Sequence, residues 1–477
     1  MGLNNNFEKN KKTKIICTIG PASSSLNSIK KLIKAGMNVA RINFSHGDHK
    51  THIETFNNIR AAEKLSGKPL GILADLQGPK IRTGVLKVPP FLIKKGENIW
   101  INNNPVHRGD QSELGSTYEY LAKDVQIHDH LLIDDGKLLF RVIKKEKNRV
   151  LLQTLHGGLI GEFKGINLPG TKITAPALTP KDLKDLKLVK KLGFDFVALS
   201  FVRSANDIHA IRKLLKGTFI DIIAKIERPE AIKDIDAIIE AADGIMIARG
   251  DLGVELETEM VPVIQKQIIK KSNIHGKMVI TATQMMESML DSPRPTRADA
   301  SDIANAVLDG TDAVMLSAET ATGKYPVEAV SIMSKIILEA ETIFQATYTR
   351  FSDLPVQNDE IALGTAAANI ADLIKARAIV TFTRSGYSGQ LASRFRPRAD
   401  IYSFTPFEIT ARKNALLRGV IPHVIPVTKS YWELMDYANT ALKEKYKFKV
   451  NEKVVILSAA PGSKSQYSTV LQIYKII

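Results

Sequence analysis

The stretch FDFVALSFVRSANDIHAIRKLLKGTFIDIIAKIERPE, residues 194–230, decides the fold class of this chain. It contains two short apolar runs of strand length, which begin at Phe194 and Asp221. The segment between them carries apolar residues three or four positions apart, which is the spacing of one buried helix face. A strand, a helix and a second strand in this order predict a parallel βαβ unit.

The same alternation recurs along much of the chain. Helical patterns separate most of its apolar runs of strand length. Eight such runs begin at Lys14, Met37, Leu70, Phe194, Asp221, Gly244, Lys277 and Asp312. Eight consecutive βα units are the number that closes a (β/α)8 barrel, whose active site lies at the carboxyl ends of the strands. We therefore predict this barrel and expect functional residues at those strand ends.

Two regions depart from the alternation and predict two further domains. Residues 80–176 are rich in alternating β-branched stretches and turn signals such as Asp135-Gly136, which are typical of a small β domain. The polar stretch from Arg350 predicts a linker, and strands alternating with helices follow it. We expect a barrel of residues 1–79 and 177–349, a β lid domain at 80–176 and an open α/β domain at 350–477.

The charge of the chain indicates anionic partners. Its 477 residues include 66 Lys and Arg against 50 Asp and Glu, a formal net charge of +16. Nucleic acid, a membrane surface or small phosphorylated substrates would each fit this excess. The single cysteine, Cys17, permits no internal disulfide, and no apolar run reaches the roughly 18 residues of a membrane-spanning helix. We expect a soluble cytoplasmic protein.

The strongest functional signal lies in IIAKIERPE. Lys225 and Glu227 are two positions apart on a predicted strand, so their side chains face the same side. Asp251 closes the next strand, so the two carboxylates are expected to meet and hold Mg²⁺, with Lys225 stabilising negative charge beside them. A buried Lys–Glu ion pair, with Asp251 capping a helix, explains the same spacing equally well.

Two further patterns support an anion site at this end of the barrel. Arg41, Asn43 and Ser45 alternate along one strand end, and an arginine there suits bidentate phosphate binding. Gly250 and Asp251 open a turn into a helix, where backbone N–H groups receive a carboxylate or phosphate. A surface salt bridge at Arg41 and an ordinary strand-to-helix turn at Gly250 are the alternatives.

Several common cofactor motifs are missing from the sequence. It has no Walker A motif, no G-x-G-x-x-G, no HExxH and no paired CxxC. Any metal is therefore expected to be a hard cation held by carboxylates, Mg²⁺ or Mn²⁺ rather than zinc.

Eight blocks of the sequence carry a family resemblance. They are TKIICTIGPAS from Thr13, NVARINFSHG from Asn38, GPKIRTG from Gly78, IIAKIERPE from Ile222, MIARGDLGVE from Met246, TATQMMESM from Thr281, PRPTRAD from Pro293 and DAVMLSAETATGKYP from Asp312. In this order they resemble the pyruvate kinase family. The resemblance implies a (β/α)8 TIM barrel with an inserted small β-barrel lid domain and a C-terminal open α/β regulatory domain.

The resemblance also implies a reaction, in which the phosphoryl group of phosphoenolpyruvate passes to ADP and leaves an enolate that is protonated to pyruvate. By that resemblance, Glu227 and Asp251 hold Mg²⁺, and Lys225 offsets charge on the phosphoryl group and the enolate. Arg41 binds the phosphate group. The substrate carboxylate is received by the N–H groups of Gly250 and Asp251 and by the Thr283 hydroxyl. Thr283 belongs to the proton-delivery route, with Ser317 nearby.

For the nucleotide and a monovalent cation, the resemblance implies two more residue sets. Arg41, Asn43, His46 and Arg82 are matched to nucleotide binding. Asn43, Ser45, Asp75 and the backbone of Leu76 are matched to a K⁺ site. Many family members have GPEIR where this chain has GPKIR, so Lys80 replaces a glutamate. Because an ammonium can occupy the role of a bound cation, we expect activity without K⁺. The alternative is that Lys80 is a solvent-exposed residue at the hinge into the β insertion and that K⁺ still binds.

The C-terminal region resembles the family's effector loop. Hydroxyl and glycine residues fall between a predicted strand and a predicted helix, a pattern that suits phosphate. They are Thr381, Thr383, Arg384, Ser385, Gly386 and Ser388. We expect a sugar-phosphate or nucleotide effector there, and an N-capping turn is the alternative. The resemblance also implies a homotetramer.

Two other functions stay open on sequence grounds. Lys225 would serve as the Schiff-base nucleophile of a barrel aldolase, or the site would belong to another barrel enzyme of phosphoenolpyruvate or pyruvate chemistry. A basic RNA-binding protein would explain the net charge, but the basic residues are scattered without a nucleic-acid-binding signature. We expect neither nucleic acid nor a membrane as partner.

Overall fold

A computed structural model describes residues 10–347, 359–428, 430–459 and 469–477. The chain begins with β1 (Lys14–Thr18), α1 (Leu26–Ala35), β2 (Val39–Asn43), α2 (His49–Ser66) and β3 (Gly71–Asp75). Helix α1 forms because Ile29, Leu32 and Ile33 share one buried face and the Ser25 side chain caps the first turn. It ends at Gly36, whose φ of 126° a residue with a side chain rarely adopts.

The insertion after β3 is built from short strands. They are β4 (Phe91–Ile93), β5 (Asn98–Asn102), β6 (Glu113–Gly115), β7 (His130–Ile133), β8 (Leu138–Lys145), β9 (Arg149–His156), β10 (Gly158–Ile160) and β11 (Ile166–Asn167), with α3 at Leu121–Asp124. Six form a sheet in the order β11-β7-β8-β9-β5-β6, and β10 pairs with β4. Single bridges join Arg82 to Gly165 and Thr83 to Ser116, next to the two edges of this sheet. The sheet is therefore curled on itself.

The second half of the barrel follows the insertion. Its helices are α4 (Pro180–Leu192), α5 (Ala205–Leu214), α6 (Pro229–Lys233), α7 (Ile235–Ala241), α8 (Arg249–Glu255), α9 (Val261–Ile274), α10 (Arg297–Leu308), α11 (Ala318–Ala321) and α12 (Pro326–Thr347). Its strands are β12 (Phe196–Leu199), β13 (Asp221–Ile226), β14 (Gly244–Ala248), β15 (Met278–Ala282) and β16 (Ala313–Leu316).

The strands predicted from the eight apolar runs close one parallel barrel. Their order around it is β1-β16-β15-β14-β13-β12-β3-β2. The pairing of β1 with β16 closes the ring, with Lys14 opposite Ala313. The predicted fold class is confirmed. The carboxyl ends of β2, β3, β12, β13, β14 and β15 all open toward one face of the barrel.

The C-terminal part forms a separate open sheet. Its elements are α13 (Asp359–Leu373), β17 (Ala378–Phe382), α14 (Tyr387–Arg394), β18 (Asp400–Thr405), α15 (Glu408–Asn414), β19 (Val420–Val424), α16 (Tyr431–Glu444), β20 (Lys453–Ala459) and β21 (Thr469–Lys475). The sheet order is β19-β18-β17-β20-β21. Sequence patterns did not predict β21, which pairs antiparallel with β20. Most of the predicted linker from Arg350 lies outside the described residues, and its end, Asp359 and Glu360, belongs to α13.

One buried core is shared between the barrel interior and the C-terminal sheet. It joins inward-facing barrel residues such as Phe196 and Met246 to Ala367, Leu416 and Val455. Ion pairing also links the two parts, since Arg396, beyond α14, contacts Asp312 at the start of β16. The C-terminal domain therefore seals the end of the barrel that lies opposite the carboxyl ends of the strands.

The helices of this fold are short or polar relative to a bilayer. Within the described ranges, none is both long enough and apolar enough to cross a membrane.

Candidate active site

Lys225 is the centre of the polar cluster at the carboxyl ends of the strands. Its Nζ lies 2.9 Å from Oε1 of Glu227 and 3.1 Å from Oδ1 of Asp75. It also donates to the Ser200 hydroxyl at 2.8 Å. Only 11% of the Lys225 side chain is exposed. The two strand neighbours Lys225 and Glu227 therefore face the same side, as the alternation predicted.

Arg41 reaches the same cluster from β2. Its Nε lies 2.7 Å from Oδ2 of Asp75, and its Nη1 donates to the Thr18 hydroxyl at 2.7 Å. The salt bridge considered as the alternative for Arg41 does exist, but it is buried rather than on the surface, because Asp75 is 1% exposed. Asp75 thus holds two cations, Arg41 and Lys225, on one side of the site.

Asp251 lies at the start of α8, close to Glu227. It is inside the helix rather than at the cap, which is Ala248, so the alternative of a capping Asp251 is wrong. Lys80 Nζ is 3.5 Å from Oδ1 of Asp251. The Glu227 carboxylate is fixed by Lys225 on one oxygen and by the Phe201 N–H, at 2.6 Å, on the other.

The charge states of this cluster follow from burial and from neighbouring charges. Burial alone would lower the pKa of Lys225, but the carboxylates of Asp75 and Glu227 outweigh it and raise that pKa above its ordinary value. Burial raises the pKa of Glu227; the charge of Lys225 opposes this shift and that of Asp251 adds to it. Although burial opposes it, Lys225 and Arg41 hold the pKa of Asp75 below its ordinary value. Lys225 is therefore a permanent cation.

Thr283 and Gly250 contact one another at the ends of β14 and β15. The Gly250 N–H donates to the Thr283 hydroxyl oxygen at 2.8 Å, and that hydroxyl donates to the Ala282 carbonyl at 2.6 Å. Two groups predicted to receive one substrate carboxylate are thus hydrogen-bonded to each other. Thr283 has a φ of 66°, which is unusual for a β-branched residue.

Ser317 follows β16 and faces the same end of the barrel. Its N–H donates to Glu319 at 2.7 Å, and its hydroxyl oxygen is buried without a hydrogen-bond partner in the described structure. Glu319 is 3% exposed and also accepts from the Met286 N–H at 3.2 Å. A buried hydroxyl without a hydrogen-bond partner destabilises the folded protein unless a ligand or a water molecule supplies that partner.

Comparison with known proteins identifies the family. The family model of the pyruvate kinase barrel domain matches residues 10–330, and that of the pyruvate kinase alpha/beta domain matches residues 361–474. The chain belongs to the pyruvate kinase family.

Relatives match the chain over nearly its whole length. The pyruvate kinase of Geobacillus stearothermophilus is 43% identical over 98% of this chain and 80% of its own. That of Corynebacterium glutamicum is 40% identical over 97% of each. A crystal structure of a pyruvate kinase from Cryptosporidium parvum superposes with a TM-score of 0.90 at 36% identity, covering 98% of this chain and 96% of that one. The chain is therefore an enzyme of the pyruvate kinase family with its barrel fold.

The predicted nucleotide residues of this family member form a cationic rim. His46 is exposed, and its pKa is lowered by partial burial and by the charges of Arg82, Lys80 and Arg41. Arg82 donates to the Phe163 carbonyl at 2.8 Å within the insertion. Arg82 and Arg41 are near enough to His46 for their charges to act on it, whereas the Asn43 side chain accepts from the Ser45 N–H.

The residues matched to a monovalent cation are only partly grouped. Asn43 pairs with Asp75 across β2 and β3, and its side chain accepts from the Ser45 N–H at 3.0 Å. The Leu76 carbonyl accepts from the Ser200 hydroxyl at 2.7 Å. The Lys80 ammonium lies beside Asp251 instead of this group.

The predicted effector residues lie between β17 and α14, with two exceptions to the predicted turn. Thr381 is inside β17 and fully buried, and Ser388 is inside α14, so neither is on the turn itself. In the turn, Gly386 has a φ of 97°, and its N–H donates to the Thr383 hydroxyl at 2.8 Å. Arg384 and Ser385 are exposed there. This is the pattern of a capped turn whose outer groups are accessible.

Sequence reasoning missed three residues of this pyruvate kinase site. Thr18 and Ser200 orient Arg41 and Lys225. Thr18 is the last residue of β1 and Ser200 directly follows β12, so both lie at the end of an apolar strand, as the predicted residues do. Arg249, in the quoted block MIARGDLGVE, pairs with Asp302. Their place at a strand end would have identified Thr18 and Ser200, whereas nothing in the sequence pairs Arg249 with a residue so distant.

The polar cluster offers two carboxylates to a divalent cation. Glu227 and Asp251 provide carboxylate oxygens, which suit Mg²⁺ or Mn²⁺. Burial, and to a smaller extent the charge of Asp251, raises the pKa of Glu227, and a bound cation would offset both effects. Within the described ranges, no cluster of three or more His, Cys, Asp or Glu side chains has metal-binding geometry. Two carboxylates fit a site in which substrate and water supply the remaining oxygens.

Proposed function

We propose that this enzyme transfers the phosphoryl group of phosphoenolpyruvate to ADP, giving pyruvate and ATP. The observation that carries the proposal is the buried Lys225 ammonium, held between Asp75 and Glu227 at 3.1 and 2.9 Å. A fixed cation in a partly dehydrated site stabilises charge that develops on a transferring phosphoryl group. Family membership supports the same reaction.

The proposed metal is Mg²⁺ or Mn²⁺, held by Glu227 and Asp251. When bound, it would neutralise negative charge on the phosphate and enolate oxygens of the substrate. Glu227 is fixed for this role by the Phe201 N–H.

Lys225 and Arg41 would act as the two protein cations for the substrate phosphate. Both are already oriented by Asp75, so little side-chain entropy is lost when phosphate arrives. The same arrangement argues against a Schiff-base aldolase, since the raised pKa keeps Lys225 protonated and an aldolase lysine must attack as a neutral amine.

Thr283 and Ser317 would serve the protonation step. In the proposed complex, the N–H groups of Gly250 and Asp251 and the Thr283 hydroxyl receive the substrate carboxylate. The Gly250 N–H and the Thr283 hydroxyl exchange the hydrogen bonds that they make in this structure for bonds to the substrate. Thr283 then lies on the route by which water delivers a proton to the enolate carbon, and the unpartnered Ser317 hydroxyl supplies a second hydrogen-bonding group nearby.

For the nucleotide we propose the rim of Arg41, Asn43, His46 and Arg82, with the insertion acting as a lid. Partial burial is the main cause of the lowered pKa of His46, and the charges of nearby Arg82, Lys80 and Arg41 add to it. Such a group of cations is expected of a polyphosphate site. Arg82 forms a β-bridge with Gly165 of the insertion and would move with it. Closure of the insertion as a lid would therefore carry Arg82 toward bound nucleotide.

We further propose activity without K⁺. The residues matched to a monovalent cation, Asn43, Ser45, Asp75 and Leu76, lie near two fixed cations, Arg41 and Lys225. Lys80 adds a third positive charge at the end of the barrel where the strands have their carboxyl ends. Its contact with Asp251 means that its ammonium would have to rotate to reach the K⁺ position itself.

Three other expectations also remain proposals. They are an effector site at the turn Thr383–Gly386, a homotetramer, and domain boundaries of 1–79 with 177–349, 80–176 and 350–477. Exposed Arg384 and Ser385 support the first. A cytoplasmic location stays a prediction.

The deciding experiment is a coupled assay of pyruvate formation from phosphoenolpyruvate and ADP. It is run with and without Mg²⁺, K⁺ and sugar phosphates. We expect turnover that requires the divalent cation. Borohydride trapping of pyruvate on Lys225, or RNA binding without ATP formation, would overturn the proposal.

A further inference from the structure

Arg249 is a half-buried arginine next to the site, to which the proposed reaction assigns no part. Its side chain is 10% exposed, and it pairs with Asp302 of α10 through Nη1–Oδ1 at 2.6 Å and Nη2–Oδ2 at 2.7 Å. The same guanidinium donates to the Thr283 carbonyl at 2.8 Å and to the Gln284 carbonyl at 3.2 Å. It therefore ties the end of β15 to α10.

The backbone that Arg249 holds is strained. Thr283 and Gln284 have φ angles of 66° and 54°, two consecutive left-handed residues. A non-glycine residue pays roughly 1–2 kcal/mol for this conformation, and a β-branched residue adopts it less readily still. Both carbonyls turn toward the guanidinium, so the charged hydrogen bonds offset the strain.

The other side of Thr283 is held by the residue that follows Arg249. The Gly250 N–H donates to the Thr283 hydroxyl, so one short segment fixes both the main chain and the side chain of that residue. A cleft of about 960 Å³ runs past Arg249, Gly250 and Asp251 and borders the site at Gly250 and Asp251, whereas Lys225 and Thr283 do not line it.

We propose that Arg249 is a positioning residue that holds the Thr283 main chain where its hydroxyl, which here donates to the Ala282 carbonyl, can rotate to the substrate for carboxylate binding and proton delivery. Asp302 is its anchor. The inference rests on the role proposed for Thr283. Without the guanidinium, the two residues would relax toward right-handed or extended backbone and the hydroxyl would turn away from the substrate.

The test compares Arg249→Met, Asp302→Asn and Thr283→Val with the double variant Arg249→Met/Thr283→Val. Two quantities are measured for each: kcat with KM for both substrates, and the exchange of pyruvate methyl hydrogens with D₂O. The exchange reports the proton step alone, because it is the reverse of enolate protonation.

We expect Arg249→Met to lower kcat and the exchange rate by about 100-fold, the usual effect of misplacing a group by about 1 Å. KM for ADP should not change. The double variant should be no slower than Thr283→Val, since both changes remove the same hydroxyl position. Arg212→Met is the matched control, because Arg212 also pairs with an aspartate, Asp243, and donates to a carbonyl, but at the opposite end of the barrel.

Wild-type exchange in Arg249→Met, or losses that multiply in the double variant, would overturn the inference. If Arg249→Met does not fold, Arg249→Lys takes its place. Lysine keeps the positive charge but cannot donate hydrogen bonds to two carbonyls and a carboxylate at the same time. The Arg249→Lys variant should therefore still exchange pyruvate methyl hydrogens more slowly than the wild type. Unimpaired exchange in Thr283→Val would instead defeat the proposed role of Thr283, which separates the two failures.

Discussion

Lys225 and Asp75 form an ion pair, 3.1 Å long, between strands β13 and β3, which are separated in the barrel by β12. Ser200, at the end of the intervening strand, bonds to the Lys225 ammonium. The central cation of the site is therefore held by three consecutive strands and does not depend on a loop.

Replacing Lys225 by methionine should lower kcat for ATP formation by about 1,000-fold or more, since charge on the transferring group loses its fixed partner. Arg41 still balances Asp75, so circular dichroism should show a folded protein. Lys271→Met is the control, because Lys271 pairs with Asp236 away from the site. Retained turnover would show that the ammonium is not needed.

Glu227→Gln should raise the Mg²⁺ concentration for half-maximal activity by about 10-fold or more, because a charged oxygen ligand is lost. Direct Mn²⁺ titration by electron paramagnetic resonance gives the binding constant independently of turnover. Asp236→Asn is the matched control. An unchanged Mn²⁺ affinity would exclude Glu227 as a ligand.

Replacing K⁺ by tetramethylammonium should leave the rate of the wild-type enzyme within about twofold if a protein cation serves in place of the ion. Lys80→Met should then be slow in tetramethylammonium and faster in K⁺. Lys137→Met, which alters an exposed lysine of the insertion paired with Asp134, is the control. A large loss of wild-type rate without K⁺ would contradict the proposal that the enzyme is active without this ion.

Asp221→Asn should change how stability depends on pH. Burial raises the pKa of Asp221 from 3.8 to about 6, although its partner Lys413 opposes the shift. The folded protein thus binds this proton more tightly than the unfolded chain does. The contribution to stability is complete below about pH 4 and is lost as pH rises through 6. Relative to Asp221→Asn, wild-type Tm should fall between about pH 4 and 6; a constant Tm difference would contradict this.

Sugar phosphates and nucleotides should raise Tm if the turn Thr383–Gly386 binds an effector. Fructose 1,6-bisphosphate, AMP, ribose 5-phosphate and glucose 6-phosphate are the probes, and a ligand at 100 times its Kd stabilises by about 2.7 kcal/mol. Ser385→Glu should abolish the shift through charge repulsion, whereas Thr342→Glu on α12 should not. No shift with any probe would count against the site.

Much of the fold follows from the sequence because burial dictates it. The parallel strands are enclosed on both faces and read as continuous apolar runs, as Phe196 to Leu199 illustrates. The sequence did not predict strand β21 because it lies at the edge of the sheet. Its apolar residues are not all buried, as exposed Ile473 shows, so the strand lacks a continuous apolar run. Thr381 was placed on the turn because a hydroxyl inside a buried strand looks the same in sequence as one outside it.

The site was predictable in its residue types but not in its pairings. Alternation puts Lys225 and Glu227 on one face whatever else the chain does. The bonds from Arg41 to Asp75, and from Arg249 to Asp302, depend on the closed barrel and on helix packing. Spacing along the chain carries no information about such distant partners.

The core shared by the barrel lumen and the C-terminal sheet has a consequence for biosynthesis. Phe196 and Met246 are covered in part by Leu416 and Val455, which leave the ribosome late. While the chain is being made, the strands of the barrel are already available, but the lumen remains open at one end. We expect nascent chains to hold exposed apolar surface until almost the last residue is added, and therefore to depend on chaperones during that interval.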